Sequence, residues 1–207
     1  MYIKQLLIAF FFLTNLLFSQ PADRLFNLKI GNTEHKIGGY AGVGARYSKY
    51  DKNDAGFLDF KGALIFNNSI GIGLAGSGLY YDKQMDKLVN DGTYRINAGY
   101  TGLLVEKYFH LDERVILNLS VISGYGTAFY RYDKDFRKEK VWSEEIIDAD
   151  QFAVFEPQIE LQLKLNDYSW IGINTGYRLT SPIKMIGTDD FILRSFSCGL
   201  SFKYGIF

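Results

Sequence analysis

The sequence has a single cysteine, Cys198, so no disulfide can form within the chain, and its stability must come from another source. Proline is scarce, with three residues against 21 glycines, 15 tyrosines and 17 phenylalanines, a balance that suits long strands with close backbone approaches. Charge of one sign is missing too. Lys plus Arg and Asp plus Glu number 23 each, which removes net-charge steering as an argument for nucleic acid or for an acidic substrate. After residue 20 no apolar run approaches the roughly 20 residues that a membrane-crossing helix needs.

What is there begins at the N-terminus. Lys4 precedes an almost unbroken apolar run from Leu6 to Leu17, which ends in the small residue Ser19 before Gln20. That is the layout of a secretory signal peptide, with cleavage expected near Ser19 and no cysteine close by to take a lipid anchor. The expected organisation is a signal peptide over 1–19, an N-terminal periplasmic segment over 20–35 and a barrel over 36–207.

The rest of the chain alternates. From Phe152 to Leu165, Ala153, Phe155, Pro157, Ile159, Leu161, Leu163 and Leu165 share one face, while Glu156, Gln158, Glu160, Gln162 and Lys164 share the other. Period two means a strand with two unlike faces. In the last strand Ile192, Phe196, Cys198, Leu200, Phe202, Tyr204 and Ile206 oppose Ser195, Ser197, Ser201 and Lys203. Val115 to Phe129 gives a third apolar face, and Tyr94, Ile96, Ala98, Tyr100 and Leu104 give a fourth, set against Arg95, Asn97 and Thr101. Ile171 to Leu179 and Leu58 to Phe66 repeat the pattern, with weaker versions at Ile37 to Tyr47 and Ile70 to Tyr80. The expected strands therefore number eight.

Alternation alone also fits a soluble sheet or a lipocalin-like barrel with its apolar face inward. The connections point the other way. They are expected to run long and short in turn: 51–55, 67–69, 82–92, 110–113, 133–150, 166–167 and 182–190. Short periplasmic turns facing longer extracellular loops on an even number of strands is the pattern of a transmembrane barrel. Aromatic residues gather at both strand ends, Tyr47, Phe57, Tyr80 and Phe129 at one and Phe66, Tyr108, Trp170 and Tyr204 at the other, as interfacial girdles do. Hydrocarbon supplies no partner to backbone N–H and C=O groups, so strands cross it only in a closed sheet. The fold class expected is all-β: an eight-stranded antiparallel, up-and-down transmembrane β-barrel in the outer membrane of a Gram-negative bacterium.

With apolar faces outward, the lumen would receive Arg46, Asp59, Lys61, Arg95, Glu156, Glu160, Lys164, Arg178 and Lys203. An unpaired buried ion costs several kcal/mol, so these groups are expected to pair or hold water. Two readings follow: a structural plug that fills a narrow barrel, or a narrow gated ion or small-solute path in which Glu156 and Glu160 exchange partners among Arg46, Arg95 and Arg178.

Catalysis finds no carrier. His35 and His110 are expected at the periplasmic edge, and Ser143 beside Glu144 and Glu145 has no base that fits a triad. The aspartates Asp133, Asp135, Asp148 and Asp150 match no known cation loop, and Gly71, Gly73, Gly76 and Gly78 lie within a strand, away from any phosphate-cradling strand-to-helix turn. No enzyme, cofactor, metal or nucleic-acid role is expected. The loop 133–150 mixes Phe136, Trp142 and Ile146 with its charges, which makes these residues candidates for an extracellular contact or for a hairpin that prolongs its flanking strands.

Several segments carry a resemblance: Gly38-Gly39-Tyr40-Ala41-Gly42, Gly99-Tyr100-Thr101-Gly102-Leu103-Leu104-Val105-Glu106, Glu156-Pro157, Gly176-Tyr177-Arg178, and the closing Leu200-Ser201-Phe202-Lys203-Tyr204-Gly205. Together they resemble the small outer-membrane β-barrel proteins of Bacteroidota-type bacteria over most of 38–207. The resemblance implies a barrel among outer-membrane lipids and no catalytic residues. Phe207 resembles the final aromatic that barrel-assembly machinery reads, although it is out of step with Phe202 and Tyr204.

Overall fold

The computed structural model of the chain describes residues 26–30, 33–50, 53–80, 93–133 and 146–207. The expected signal peptide and its cleavage point, the contact candidates Phe136 and Trp142, and Ser143 with Glu144 and Glu145 lie outside the described residues.

Among the described residues nine strands follow one another as antiparallel neighbours. They are β1 Phe26–Ile30, β2 Thr33–Tyr50, β3 Asn53–Phe66, β4 Ile70–Tyr80, β5 Thr93–His110, β6 Val115–Asp133, β7 Ile146–Asn166, β8 Ser169–Thr180 and β9 Ser195–Ile206. β2 pairs with β9 from Gly39 opposite Ile206 to Ser48 opposite Ser197, which closes β2 to β9 into an eight-stranded ring. β1 falls within the segment expected to precede the barrel and adds to β2 from Phe26 opposite Ile37 to Ile30 opposite Thr33. Closure leaves no open edge within the ring, which is the only way a sheet satisfies its backbone in hydrocarbon.

The direction of the side chains decides between membrane and soluble barrel. Leu161, Leu163 and Phe202 are 49%, 47% and 42% exposed on the outer surface, whereas Glu156 and Glu160 are 0% and 1% exposed inside. Val43, Phe60, Leu74, Leu103, Ile159, Ile173 and Leu200 continue the outer apolar face on every side of the ring. The apolar half of each zigzag looks outward and the ionic half is enclosed.

One strand reverses its expected faces. Ile96, Ala98, Tyr100 and Leu104 of β5 are buried inside, while Thr101, Leu103 and Val105 look outward. β5 carries apolar residues on both faces, so composition does not identify its outside. The carboxylate of Glu106, on the even face, settles it, because a charge is tolerated in the lumen and not against lipid.

Connections differ at the two ends. One end carries the termini of the ring and the turns 67–69, 111–114 and 167–168; the other carries 51–52, 81–92, 134–145 and 181–194. The first of these is shorter than expected, because β2 and β3 stay paired up to Tyr50 opposite Asn53. At 67–69, Asn67 and Asn68 take positive φ (50° and 52°) and Ser69 N–H donates to Phe66 O at 3.0 Å. Asparagine tolerates that left-handed pair, whose twist matches a two-residue hairpin. Pro157, outward on β7, has no N–H to give, and the β7–β8 ladder omits it together with Glu156.

The final connection is exposed along much of its length but turns part of itself inward. β9 begins at Ser195, so Ile192 is no part of the last strand; with Ile183, Met185 and Leu193 it is buried over the mouth of the ring. Asp148 and Asp150 of β7 hold this segment down by accepting from the backbone N–H groups of Ile186 (2.8 Å) and Lys184 (2.6 Å). At the opposite mouth Phe207 folds under the ring, with its centroid 5.4 Å from Tyr40, 5.9 Å from Tyr108 and 5.1 Å from Trp170. Its odd parity in the last strand is what turns it inward.

Candidate functional site

Between these two lids the lumen holds two ion clusters. The one nearer the long connections centres on Arg46 of β2. Its guanidinium grips Asp59 of β3 with two prongs, Nε to Oδ2 at 2.5 Å and Nη2 to Oδ1 at 2.9 Å. Nη1 donates to Glu156 of β7 and to Ser197 Oγ of β9 at 3.1 Å. Nη2 also reaches Ser77 Oγ of β4 at 3.2 Å and the Tyr100 hydroxyl of β5 at 2.9 Å. Tyr100 in turn donates to Glu156, and Ser77 donates to Asp59 at 2.6 Å. One side chain thereby ties together six strands. A planar five-donor group is suited to such bidentate work.

Arg178 of β8 completes this cluster from above. It lies 3.9 Å from the ring centroid of Phe57, donates from Nη2 to Ser48 Oγ at 3.0 Å, and donates from Nε to the carbonyl of Leu193 at 2.9 Å. The last of these contacts fastens the 181–194 segment, through its buried Leu193, to the polar interior. Cation and ring contact of this kind is strongest where water is excluded.

The second cluster, nearer the short turns, centres on Lys203 of β9. Its ammonium lies 2.7 Å from Glu160 Oε2 and 3.4 Å from Glu106 Oε1, and 4.6 Å from the Tyr40 ring centroid. Glu106 accepts further from the hydroxyls of Tyr40 (2.7 Å) and Tyr108 (2.5 Å) and from Asn118 Nδ2 (2.7 Å). Glu160 accepts from Ser201 Oγ and from Gln162 Nε2 at 3.0 Å. Lys61 Nζ donates to Gln158 Oε1 at 2.5 Å and Gln158 Nε2 donates to Glu156 at 3.0 Å, which links the two halves.

Each cluster balances its charges: Arg46 and Arg178 face Asp59 and Glu156, and Lys61 and Lys203 face Glu106 and Glu160. Buried ions are tolerated on that condition, since removal of either partner leaves a desolvated charge. The void beside Lys61, Asn174 and Lys203 measures about 10 Å³, room for no more than a single water.

Of the residues expected in the lumen, Arg46, Asp59, Lys61, Glu156, Glu160, Arg178 and Lys203 come together there. Lys164 does not. It stands at the short-turn rim, 2.9 Å from Asp167 and 6.0 Å from the Trp170 ring centroid, because the strand has reached its end at that height. Arg95 lies in β5 where side chains are outside the described residues, as do the side chains of Ile146 at the start of β7 and of His35. Glu106 is the main residue the sequence reading omits, a direct result of the reversed faces of β5. Tyr40, Tyr100 and Tyr108 are omitted for a different reason: they read as packing or girdle residues, and their hydroxyl ends serve the carboxylates.

His110 is exposed at the end of β5. Among the described residues no group of three or more His, Cys, Asp or Glu side chains is placed to hold a metal. Asp148 and Asp150 spend an oxygen each on the backbone of the 181–194 segment.

No family model and no curated protein matches the sequence. Solved structures do match the fold. The attachment invasion locus protein Ail of Yersinia pestis superposes with a TM-score of 0.50 at 15% identity, covering 81% of this chain and 97% of Ail. Ail in complex with the heparin analogue sucrose octasulfate gives 0.51 at 14% identity, with 82% and 98% covered. Neisserial surface protein A gives 0.54 at 8% identity, with 81% and 96% covered. The chain has the fold of the small eight-stranded outer-membrane β-barrels.

Proposed function

We propose that this protein is an integral outer-membrane barrel with a structural or surface-interaction role, in which the ion clusters make a solid stem for the segments it presents outside the cell. The observation that carries this reading is the pairing of an apolar outer wall with an interior that is neutralised, hydrogen-bonded and covered at both mouths. In this reading the signal peptide is cleaved near Ser19, barrel-assembly machinery inserts the chain, and the 67–69, 111–114 and 167–168 turns face the periplasm. The stretch 133–150, with Phe136, Trp142 and Ile146, is the contact candidate toward an extracellular partner. The motif resemblance supports a source among Bacteroidota-type bacteria in this reading.

Membrane fractionation together with heat-dependent gel mobility tests the location: the folded protein is expected in the outer-membrane fraction and to migrate faster unheated than boiled. Planar-bilayer recording tests the role. A stem of this kind is expected to be electrically silent. Steady currents that change in a Glu156→Gln variant would instead support the narrow gated channel, against which stand the burial of Ile183, Ile192 and Leu193 at one mouth and of Trp170 under Phe207 at the other.

A further inference from the structure

The outer wall is not uniformly studded. From β9 across β2 to β6 it is indented by a groove of about 1110 Å³, whose rims are Phe202, Phe60, Leu74, Leu103 and Tyr125 and whose floor is nearly bare backbone at Gly62 and Gly76. The volume is at the upper end of what ligand sites occupy. The floor lies at mid-height of the strands: Ala41 stands opposite Gly62, and Gly76 opposite Thr101.

The fold does not demand those glycines. A Cβ added at Gly62 would meet its nearest atom, Tyr40 O, at 3.6 Å, and at Gly76 the nearest is Tyr100 O at 3.8 Å, both ordinary contacts. Gly73, on the inner side of the same strands, is the contrast: a Cβ there would fall 1.9 Å from Gly62 O, so backbone packing requires glycine. Neither Gly62 nor Gly76 has positive φ. Phe60 and Leu64 flank Gly62 on the outer face of β3 and Leu74 precedes Gly76 on that of β4, so large side chains fit at neighbouring outward positions and the bare floor is a property of the sequence.

We infer that this groove is a binding site for a hydrocarbon chain of a membrane lipid, held longer than the lipids around the rest of the wall. The inference rests on the membrane-barrel reading. Hydrocarbon gives apolar surfaces no reason to associate beyond the quality of their packing. A second barrel would present a convex wall that touches the rims and leaves the floor unfilled, whereas a chain with free C–C rotation follows the floor. Strands of such barrels tilt by about 35–45°, so a groove that runs across them also slopes through the membrane, along a path open to a chain that descends from either leaflet. The hydroxyls of Thr101, Ser123, Tyr125 and Tyr204 are polar groups along this groove, and Lys61, which also lines it, spends its ammonium on Gln158 Oε1 at 2.5 Å; the hydroxyls suit an ester or a kinked chain.

The test is retention of lipid. The wild type and a Gly62→Leu/Gly76→Leu variant are reconstituted in phosphatidylethanolamine–phosphatidylglycerol vesicles, extracted in mild detergent and weighed intact by native mass spectrometry. The wild type is expected to keep a lipid-bound species that falls to background in the variant. Gly78→Leu, outward on β4 with nothing within 4 Å of the added Cβ and outside the groove, is expected to keep it. Heat-dependent mobility of each sample verifies folding, and Thr101→Leu fills the same floor if the double variant does not fold. Equal retention in folded wild type and filled variant overturns the inference, as does a wild-type dimer that becomes monomeric on filling, which would make a second copy the occupant. Failure of the wild type to enter vesicles at all would strike the membrane reading itself.

Discussion

The two ion clusters solve one problem with different chemistry. Around Arg46 the cation does the organising: a flat guanidinium reaches Asp59 twice, then Glu156, Ser77, Ser197 and Tyr100, and the carboxylates follow its geometry. Around Lys203 the carboxylates do it: Glu106 collects two tyrosine hydroxyls and an asparagine amide, and the ammonium is a point charge set between Glu106 and Glu160. The difference teaches where each half is vulnerable. Both halves give their carboxylates neutral donors, Ser77, Tyr100 and Gln158 in the upper one and Tyr40, Tyr108, Asn118, Ser201 and Gln162 in the lower, but the upper half hangs six hydrogen bonds on one cation where Lys203 makes two.

Arg46→Met should break that contrast most severely. It strands Asp59 and Glu156 together in the lumen, with an expected loss of about 3–5 kcal/mol, read as a lower urea midpoint for the loss of fast gel mobility in vesicles; Arg46→Lys should recover little, because an ammonium cannot reproduce the fork. Lys203→Met is expected to cost less, roughly 2–3 kcal/mol, since its ammonium makes two hydrogen bonds, one of them long at 3.4 Å, against the six of Arg46. Equal losses in the two variants would refute the contrast. Glu106→Gln, measured in the same way, should cost about 1–2 kcal/mol, because it offers an amide donor to Tyr40, Tyr108 and Asn118, which are donors already. Lys164→Ala should shift the midpoint least, by about 0.5 kcal/mol or less, as expected for a pair whose partner Asp167 is 84% exposed.

How much of this was legible in the sequence depends on the strand. β7 declares itself, since Glu156, Gln158, Glu160 and Gln162 alternate with Phe155, Ile159, Leu161 and Leu163, and nothing but an inward polar face fits. β5 does not, because the lumen is lined by Ile96, Leu104 and Ile116 as well as by ions, so that apolar residues stand on both sides of the wall. Glu106 was the available clue. The lids were harder still. Ile183, Ile192 and Leu193 belong to a connection whose length and charge suit an exposed loop, and tertiary hydrogen bonds, accepted by Asp148 and Asp150 and donated by Arg178, turn these residues inward. Phe207 carried a parity signal, its mismatch with Phe202, whose meaning is an inward ring at the periplasmic end.

The reach of Arg46 along the chain has a consequence for assembly. Its partners lie 13, 31 and 54 residues away in Asp59, Ser77 and Tyr100, but 110 and 151 residues away in Glu156 and Ser197. The last of these sits on the strand that seals the seam with β2. A chain caught midway through insertion therefore carries an arginine with half its counter-charge absent, a state costly in a lipid setting, and the seam and the bolt across it are thrown in one late, slow, long-range step.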